Sequence, residues 1–282
     1  MTIETKIITD SISPVGARLT TFQLSYPRFI HAELMTHRLF SRNASSSRAI
    51  PVEKIIQQVL DDPAMPVHWG KNQRGMQADE EVDENLAGAA RANWLMARDK
   101  AVVHARNFVE MGIHKQIANR ILEPWHHISV VVTASEWDNF FTLRCHPDAQ
   151  PEIKVLAEQM RDAYFSNTPD LLDYGQWHLP YLTKLERTFR PRDEDRIEHQ
   201  ANLLKASTAR CARVSYMTHD NEHPVLEKDI GLYDNLFDSK HMSPFEHPAT
   251  PSTDPNSWSG NFKGWTQYRK TLKGESYTEY KQ

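Results

Sequence analysis

The chain is 282 residues long, 39% hydrophobic and 25% charged, and its 33 Lys and Arg against 37 Asp and Glu leave a formal charge of −4. That apolar content suffices for a buried core and excludes a disordered chain. No apolar run approaches the roughly 20 residues of a membrane span, and the mild acidity argues against a broad nucleic-acid footprint. Any phosphate must therefore be held locally. One large domain or two modest ones fit the length. The opening Met1–Lys6 stretch lacks the charged and apolar blocks of a secretion signal, so the expected address is cytoplasmic. Cys145 and Cys211 are the only cysteines and form no Cys-x-x-Cys pair, which excludes a disulfide framework and a structural zinc site. The 14 histidines show no ligand spacing on a helical face, and no metal is expected.

In chain order, residues 3–26 alternate with period two around a turn at Pro14 and Gly16, which predicts a hairpin. Pro27 starts a helix to about Arg38, on the spacing of Phe29, Ile30, Leu34 and Met35. Ser41–Arg48 is rich in hydroxyl and amide side chains that compete with helical hydrogen bonds, and is expected to be a loop. A second helix runs from Pro51 to about Leu60, and residues 61–79 read as an exposed excursion. Glu80 to Met111 is the longest predicted helix, ended by Gly112. Ile113 to Leu122 continues as a short helix stopped by Pro124, and Ile128–Thr133 is β-branched enough for a buried strand. Ser135–Asp138 has the spacing of a capping box opening the next helix.

Gln150 to Tyr164 is a further helix, and Asn167 to Arg196 reads as irregular. Glu198–Tyr216 and Val225–Phe237 read as two helices around a loop containing His219–Pro224. Pro248–Gly260 is expected to be a surface loop and Phe262–Leu272 a short helix. No tandem repeat is evident. The balance predicts an α/β (α+β) fold, a few strands with several long helices, without regular strand–helix alternation.

The densest chemistry lies in Thr36–Arg48. One helix end and one loop there place His37, Arg38, Arg42 and Arg48 beside Ser41, Asn43, Ser45, Ser46 and Ser47. Guanidinium forks, hydroxyls and loop amides suit phosphate oxygens, which points to a nucleotide or a phosphate-bearing cofactor. A solvated basic turn would account for the same residues. A second cluster, His241–His247, is preceded by Ala212–Tyr216 and on its own fits packing and capping roles. A third joins Asn119 and Arg120 to Asn139–Glu152. Arg120 and Arg144 lie there among Ile121, Leu122, Phe141 and Leu143, and each needs an anion if buried, either a ligand or a structural carboxylate.

Together the three clusters resemble flavin-dependent thymidylate synthases, the family that methylates the uracil of dUMP with a folate one-carbon unit and a reduced flavin. The family's Arg-His-Arg segment, followed by Ser, Asn-Glu and Ser-Gly-Arg, is matched by His37, Arg38, Ser41, Asn43, Ser46 and Arg48, with Thr21, Phe22 and Pro27 ahead of it. Arg120–Pro124, Asn139–Arg144 and Ala149–Ile153 match its middle segments. Its Ala-Arg-Val-Ser and His-x-Ser-Pro-Phe-Glu-His segments, which in the family precede the Thr-Phe strand, stand here at Ala212–Ser215 and His241–His247. The order is thus that of a circular permutation, tolerable where chain ends meet on a surface. The resemblance implies one domain over 1–282 with a mixed sheet, insertions near 61–79 and 167–196, and an extension after 248.

It also implies flavin contacts at His37, Arg38, Ser41, Asn43, Asn139, Ser215, His241 and Ser243. Deoxyuridylate contacts fall at Ser45, Ser46, Ser47, Arg48, Arg120 and Arg144, with Ser46 and Arg144 as catalytic residues. A cation such as Arg144 beside the pyrimidine would stabilise negative charge developing on its carbonyl oxygens. Arg48, Arg120 and Ser46 would clamp the monophosphate. The implied cofactors are FAD, NADPH and methylenetetrahydrofolate, and the implied assembly is a homotetramer. No cysteine nucleophile is required, and Cys145 and Cys211 are read as packing residues.

The sequence departs from the family at Thr36 (Arg), Ala44 (Glu), Glu33 (Gln) and Ser47 (Gly). The aromatic and basic tail Phe262–Lys270 is a candidate replacement donor, and Lys71–Arg74 a weaker candidate for a folate tail. Two other readings stay open: hydroxymethylation of dUMP or dCMP, and a non-catalytic nucleotide-binding protein.

Overall fold

The structure, a computed structural model, describes residues 3–215 and 225–275. The expected loop around His219–Pro224 and the helix end at Tyr216 lie outside them, as does the side chain of Ser215.

Strands β1 (Glu4–Ile12) and β2 (Arg18–Pro27) form the expected antiparallel hairpin, with Gly16 in the turn at φ +82°. A 3-10 turn leads into α1 (His31–Met35), much shorter than the predicted helix to Arg38. The guanidinium of Arg42 stops it, donating to the carbonyls of Leu34, Met35 and His37 at 3.2, 3.2 and 3.1 Å. Ser41–Ala44 is a strand, β3, where a loop was expected. Its polar side chains cost little at a sheet edge, and the ladder with β4 satisfies its backbone.

Helices α2 (Val52–Asp61), α3 (Glu84–Glu110) and α4 (Lys115–Ala118) follow, with Gly112 at φ +73° just past the 27-residue α3. A 3-10 run, Asn119–Trp125, continues from α4 through Pro124 and packs with α2 and α3 around Ile55, Ile56, Val59, Val102 and Leu122. The excursion at 61–79 is pinned where Val67 N donates to the buried carboxylate of Glu152 at 2.7 Å. Strand β4 (His127–Ala134) then lies between β2 and β3. Helix α5 (Asp138–Arg144) opens without the expected capping box, because the Ser135 hydroxyl instead accepts from Lys263 N at 2.9 Å. Gln150 caps α6 (Pro151–Ser166) through Ile153 N.

The segment after α6 is largely irregular, but it contains the two-residue β5 (Asp170–Leu171), parallel to β1, and α7 (Lys184–Thr188), opened by a Thr183–Glu186 capping box. Helices α8 (Arg196–Ala212) and α9 (Leu226–Asp238) are joined by an ion network in which the fully buried Asp229 meets Arg210 at 2.8 Å and Arg213 at 2.5 Å, while Glu186 meets Arg210 at 2.6 Å. The C-terminal part corrects the expectations of a surface loop and a helix. Strands β6 (Ala249–Pro251), β7 (Trp258–Ser259), β8 (Phe262–Lys263) and β9 (Trp265–Gln267) form two small sheets, with Ala249, Phe262 and Trp265 buried against Leu19. Burial of those large rings overrides the turn-forming composition.

The main sheet is mixed, in the order β3-β4-β2-β1-β5. Alternation splits its two faces. Phe22, Leu24 and Tyr26 pair with Val132, Val130 and Ile128 and pack with Leu34, Phe140, Ile153 and Leu156 into the largest core. On the opposite face Thr21 pairs with Thr133, and Ser41 and Asn43 continue the row across β3. The first face is thus mainly apolar, whereas the second carries a row of hydroxyl and amide groups between Leu19 and Val131.

Candidate active site

Arg144, at the end of α5, reaches across to the end of α1. Its Nε donates to His37 Nε2 at 3.0 Å, and its terminal nitrogens meet Glu33 Oε2 at 3.3 Å and Thr36 Oγ1 at 3.2 Å. The His37 ring is stacked on Phe40 and set edge-on to Phe140. Partial burial, with Arg144 and Arg42 nearby, pushes its pKa down to about 4. Neutral at pH 7, His37 therefore accepts at Nε2 and carries its proton at Nδ1. The anion that Arg144 needed is a structural carboxylate. Glu33 and Thr36, two positions where the sequence departs from its family, are both partners of this one guanidinium.

A second constellation joins distant parts of the chain. Ser243–Glu246 forms a 3-10 turn that lays Ser243 and His247 against Asn43 of β3, a separation of 200 residues in the first pair. Both orientations of the Asn43 amide reach Ser243 and His247, but only one keeps its oxygen away from neighbouring carbonyl oxygens. Its nitrogen faces the carbonyls of Arg42 at 3.3 Å and Ser243 at 3.2 Å and donates to His247 Nε2 at 2.9 Å, and its oxygen accepts from Ser243 Oγ at 3.0 Å.

The third group surrounds the serine run. Ser45 Oγ accepts from Ser129 N at 3.2 Å, and Ser47 Oγ donates to Glu123 Oε1 at 3.3 Å. The same carboxylate meets Arg28 at 3.2 Å and Arg120 at 3.8 Å. Buried Asn119 fixes the following turn by donating to the carbonyls of Ser47 and Ile50 at 2.7 and 3.0 Å. Arg48 and Arg120 are exposed, and among the described residues Arg48 forms no ion pair.

Arg38, Asn139, His241 and Ser243 are also exposed. Ser41 is fully buried, with its hydroxyl accepting from Gln267 at 3.2 Å and Asn261 at 3.4 Å. Arg42 spends its charge on the α1 carbonyls. In the tail, Trp265 is buried, Tyr268 bonds Tyr233, and Arg269 pairs with Glu246 at 2.6 Å and Glu275 at 2.7 Å. Lys71 pairs with Glu80 on the exposed excursion. Burial raises the thiol pKa of Cys211 well above its ordinary value and also raises that of Cys145. No group of three or more His, Cys, Asp or Glu among the described residues is placed to hold a metal ion. No helix among them is long and apolar enough to cross a membrane.

Sequence reasoning overlooked Glu123 and His178, and named Asn119 only beside Arg120 in the third cluster. Glu123 bridges the serine run to two arginines, Asn119 holds the turn, and His178, lying in the irregular segment, reaches the polar face of the sheet at Thr21. The fixed polarity of an Asn flanked by two carbonyls is visible only in three dimensions.

The structure is thus a mixed sheet with arginines and imidazoles gathered at β3 and the end of α1, and a family model covers more than half of the chain. Residues 10–170 match the family described as thymidylate synthase complementing protein, and the chain belongs to that family. A relative from Aquifex aeolicus (strain VF5), a flavin-dependent thymidylate synthase, is 27% identical over 144 residues, which cover 50% of this chain and 44% of the relative. The chain thus spans less than half the length of that curated relative. Among solved structures, the UMP/dUMP methylase PolB from Streptomyces cacaoi bound with 5-Br UMP is similar at 18% identity and a TM-score of 0.49, over 58% of this chain and 89% of that one. Thymidylate Synthase X from Helicobacter pylori with FAD and dUMP is similar at 18% identity and a TM-score of 0.36, over 52% and 67% of the two chains.

Proposed function

We propose that the chain is an enzyme that methylates dUMP to dTMP with FAD, drawing its one-carbon unit from methylenetetrahydrofolate and its electrons from NADPH. The observation that carries this reading is the hydrogen bond between Asn43 and Ser243, which brings together two segments that the family resemblance assigns to the flavin. Membership of the family and the name of the Aquifex aeolicus relative support it.

The residues present fit an anionic, ring-bearing group. Arg38 and Arg48 are exposed cations, His37 is a neutral imidazole braced by two aromatic rings, and the exposed hydroxyl of Ser243 stands beside the Asn43 amide. His37, Arg38, Asn43, Asn139, His241 and Ser243 would hold the flavin, whose chemistry when bound is to supply the reducing equivalents. Ser46, Arg48 and Arg120 would clamp the nucleotide monophosphate and set its position. Arg144, steered by Glu33, Thr36 and His37, would keep its positive charge fixed beside the pyrimidine and stabilise negative charge as it develops on the ring oxygens. A neutral His37 can orient that guanidinium without opposing its charge.

The family-model match ends at residue 170, whereas the segments at Ala212–Ser215 and His241–His247 lie beyond it, and the second of them packs on β3. This supports reading the chain as one circularly permuted domain. By the same resemblance we extend the proposal to a cytoplasmic homotetramer acting on small molecules.

The test is direct. Purified protein should be yellow, dUMP should perturb that absorbance, and incubation with NADPH and labelled methylenetetrahydrofolate should give a nucleotide in which a labelled methyl group replaces one ring hydrogen. A hydroxymethyl product, or NADPH left unconsumed with dUMP unmodified, would overturn the reading.

A further inference from the structure

The polar face of the sheet carries an unbroken line of side-chain hydrogen bonds that the proposed chemistry does not use. Ser11 Oγ meets His178 Nδ1 at 2.9 Å, and His178 Nε2 meets Thr21 Oγ1 at 2.8 Å. Thr21 Oγ1 meets Thr133 Oγ1 at 2.7 Å, Thr133 Oγ1 meets His247 Nδ1 at 2.8 Å, and His247 Nε2 meets the Asn43 amide at 2.9 Å. Ser11, Thr21, Thr133, His178 and His247 are all buried, and both histidines are fully so. The line crosses β1, β2, β4 and β3 and passes through His178, which lies in a segment that the family resemblance leaves unexplained.

Such a line can run in only two senses, because each hydroxyl has one proton and each neutral imidazole has one. The carbonyls of Arg42 and Ser243 decide between them. They require the Asn43 nitrogen on their side, so Asn43 donates to His247 Nε2. His247 must then carry its proton at Nδ1 and give it to Thr133. Thr133 donates to Thr21, Thr21 to His178 Nε2, and His178, again protonated at Nδ1, to Ser11. Burial pushes both imidazoles down to about 3, so neither acquires the second proton that would break the order. Reversing the Asn43 amide alone would set its oxygen against two carbonyl oxygens and an imidazole lone pair. Reversing it without that conflict at His247 would require every bond in the line to turn over.

We propose that His247 and His178 are positioning residues, which lock the Asn43 amide in one orientation through a one-way hydrogen-bond line and so fix the exposed Ser243 hydroxyl as an acceptor toward a bound ligand. The inference rests on reading Asn43 and Ser243 as contacts of the flavin. With its proton held by the Asn43 oxygen, Ser243 presents only lone pairs outward, which suits a ring N–H of the cofactor.

The test pairs a tautomer measurement with isosteric substitutions in the full chain. Long-range 1H–15N spectra of the histidine rings should place the proton of both His178 and His247 on Nδ1. Thr133→Val keeps the shape but removes the hydroxyl. It should change the His247 ring signals and weaken FAD binding by about tenfold, the effect of losing one well-placed hydrogen bond, while Thr133→Ser should retain both wild-type readouts. An Nε2-protonated His247 in the wild type would overturn the proposal. So would a Thr133→Val protein with altered ring signals and unchanged FAD affinity. Should the wild type bind no FAD, the flavin reading fails separately, and the wild-type tautomers still decide whether the line is ordered. The same wild-type measurement decides the matter if Thr133→Val does not fold.

Discussion

Acidification from pH 7 to pH 5 should destabilise this protein by several kcal/mol, and two residues should account for most of the loss. His178 and His247 are fully buried, and desolvation lowers both pKa values to about 3. An unfolded histidine titrates near 6.5. Between those values the unfolded chain binds protons that the folded chain excludes, so stability is complete above about pH 6.5 and declines as the pH falls toward 3. The decline approaches ~1.4 kcal/mol per histidine per pH unit, which by pH 5 amounts to about 2 kcal/mol for each and about 4 kcal/mol for the pair. His31, His37 and His127 are shifted in the same direction by partial burial and add to the effect. The window matters. Glu186, whose pKa is held down to about 2 mainly by its hydrogen bonds with Arg210, begins to cost stability only below its ordinary value of 4.5. Urea unfolding at pH 7 and pH 5 gives the difference, and His247→Asn, which keeps a donor toward Thr133 but cannot take up a proton, should reduce it by about 2 kcal/mol. A wild-type loss below about 1 kcal/mol, or a variant with the same loss as wild type, would refute the reasoning.

Three further outcomes follow from the side-chain networks. Asp229→Asn strips the shared counter-charge from Arg210 and Arg213, and it should cost about 3–5 kcal/mol, read as a lower midpoint in chemical unfolding at neutral pH. Arg144→Ala should abolish methylation and leave the unfolding midpoint near that of wild type, whereas Arg48→Ala should chiefly raise the Kd for dUMP; unchanged kinetics in both would contradict the assignment. Glu123 occupies part of the charge of Arg28 and Arg120 and takes the Ser47 hydroxyl. Glu123→Gln should therefore tighten dUMP several-fold and weaken with added salt more steeply than wild type, as calorimetric titration would reveal.

Much of the fold was legible because period and punctuation agreed with the final packing. The alternation of Phe22, Leu24 and Tyr26 named the buried face of β2, and Gly112 marked the end of α3. Strand β3 was hidden because Ser41–Ala44 has loop composition, and only the free edge of β4 makes it extend. The capping box at Ser135 failed because its hydroxyl was claimed by Lys263, far along the chain. The tail was misread because Trp265 gains more by burial against Leu19 than its neighbours lose by leaving a helix. At the candidate site, the resemblance assigned Asn43 and Ser243 to one ligand, and the two side chains touch in the structure. It could not foresee that Arg42 caps α1, or that Glu33 meets Arg144, since both depend on where a helix ends.

The seam between Asn43 and the Ser243 turn also carries a temporal consequence. On a ribosome, strand β3 emerges long before the turn that covers it, and the Asn43 amide meets neither Ser243 nor His247 until that turn is made. Closure of that seam is therefore a late, long-range event in folding. Ligand capture by a nascent chain would report that synthesis has passed the turn, and a chain cut before Ser243 would lose the Asn43 contacts while keeping every strand of the main sheet.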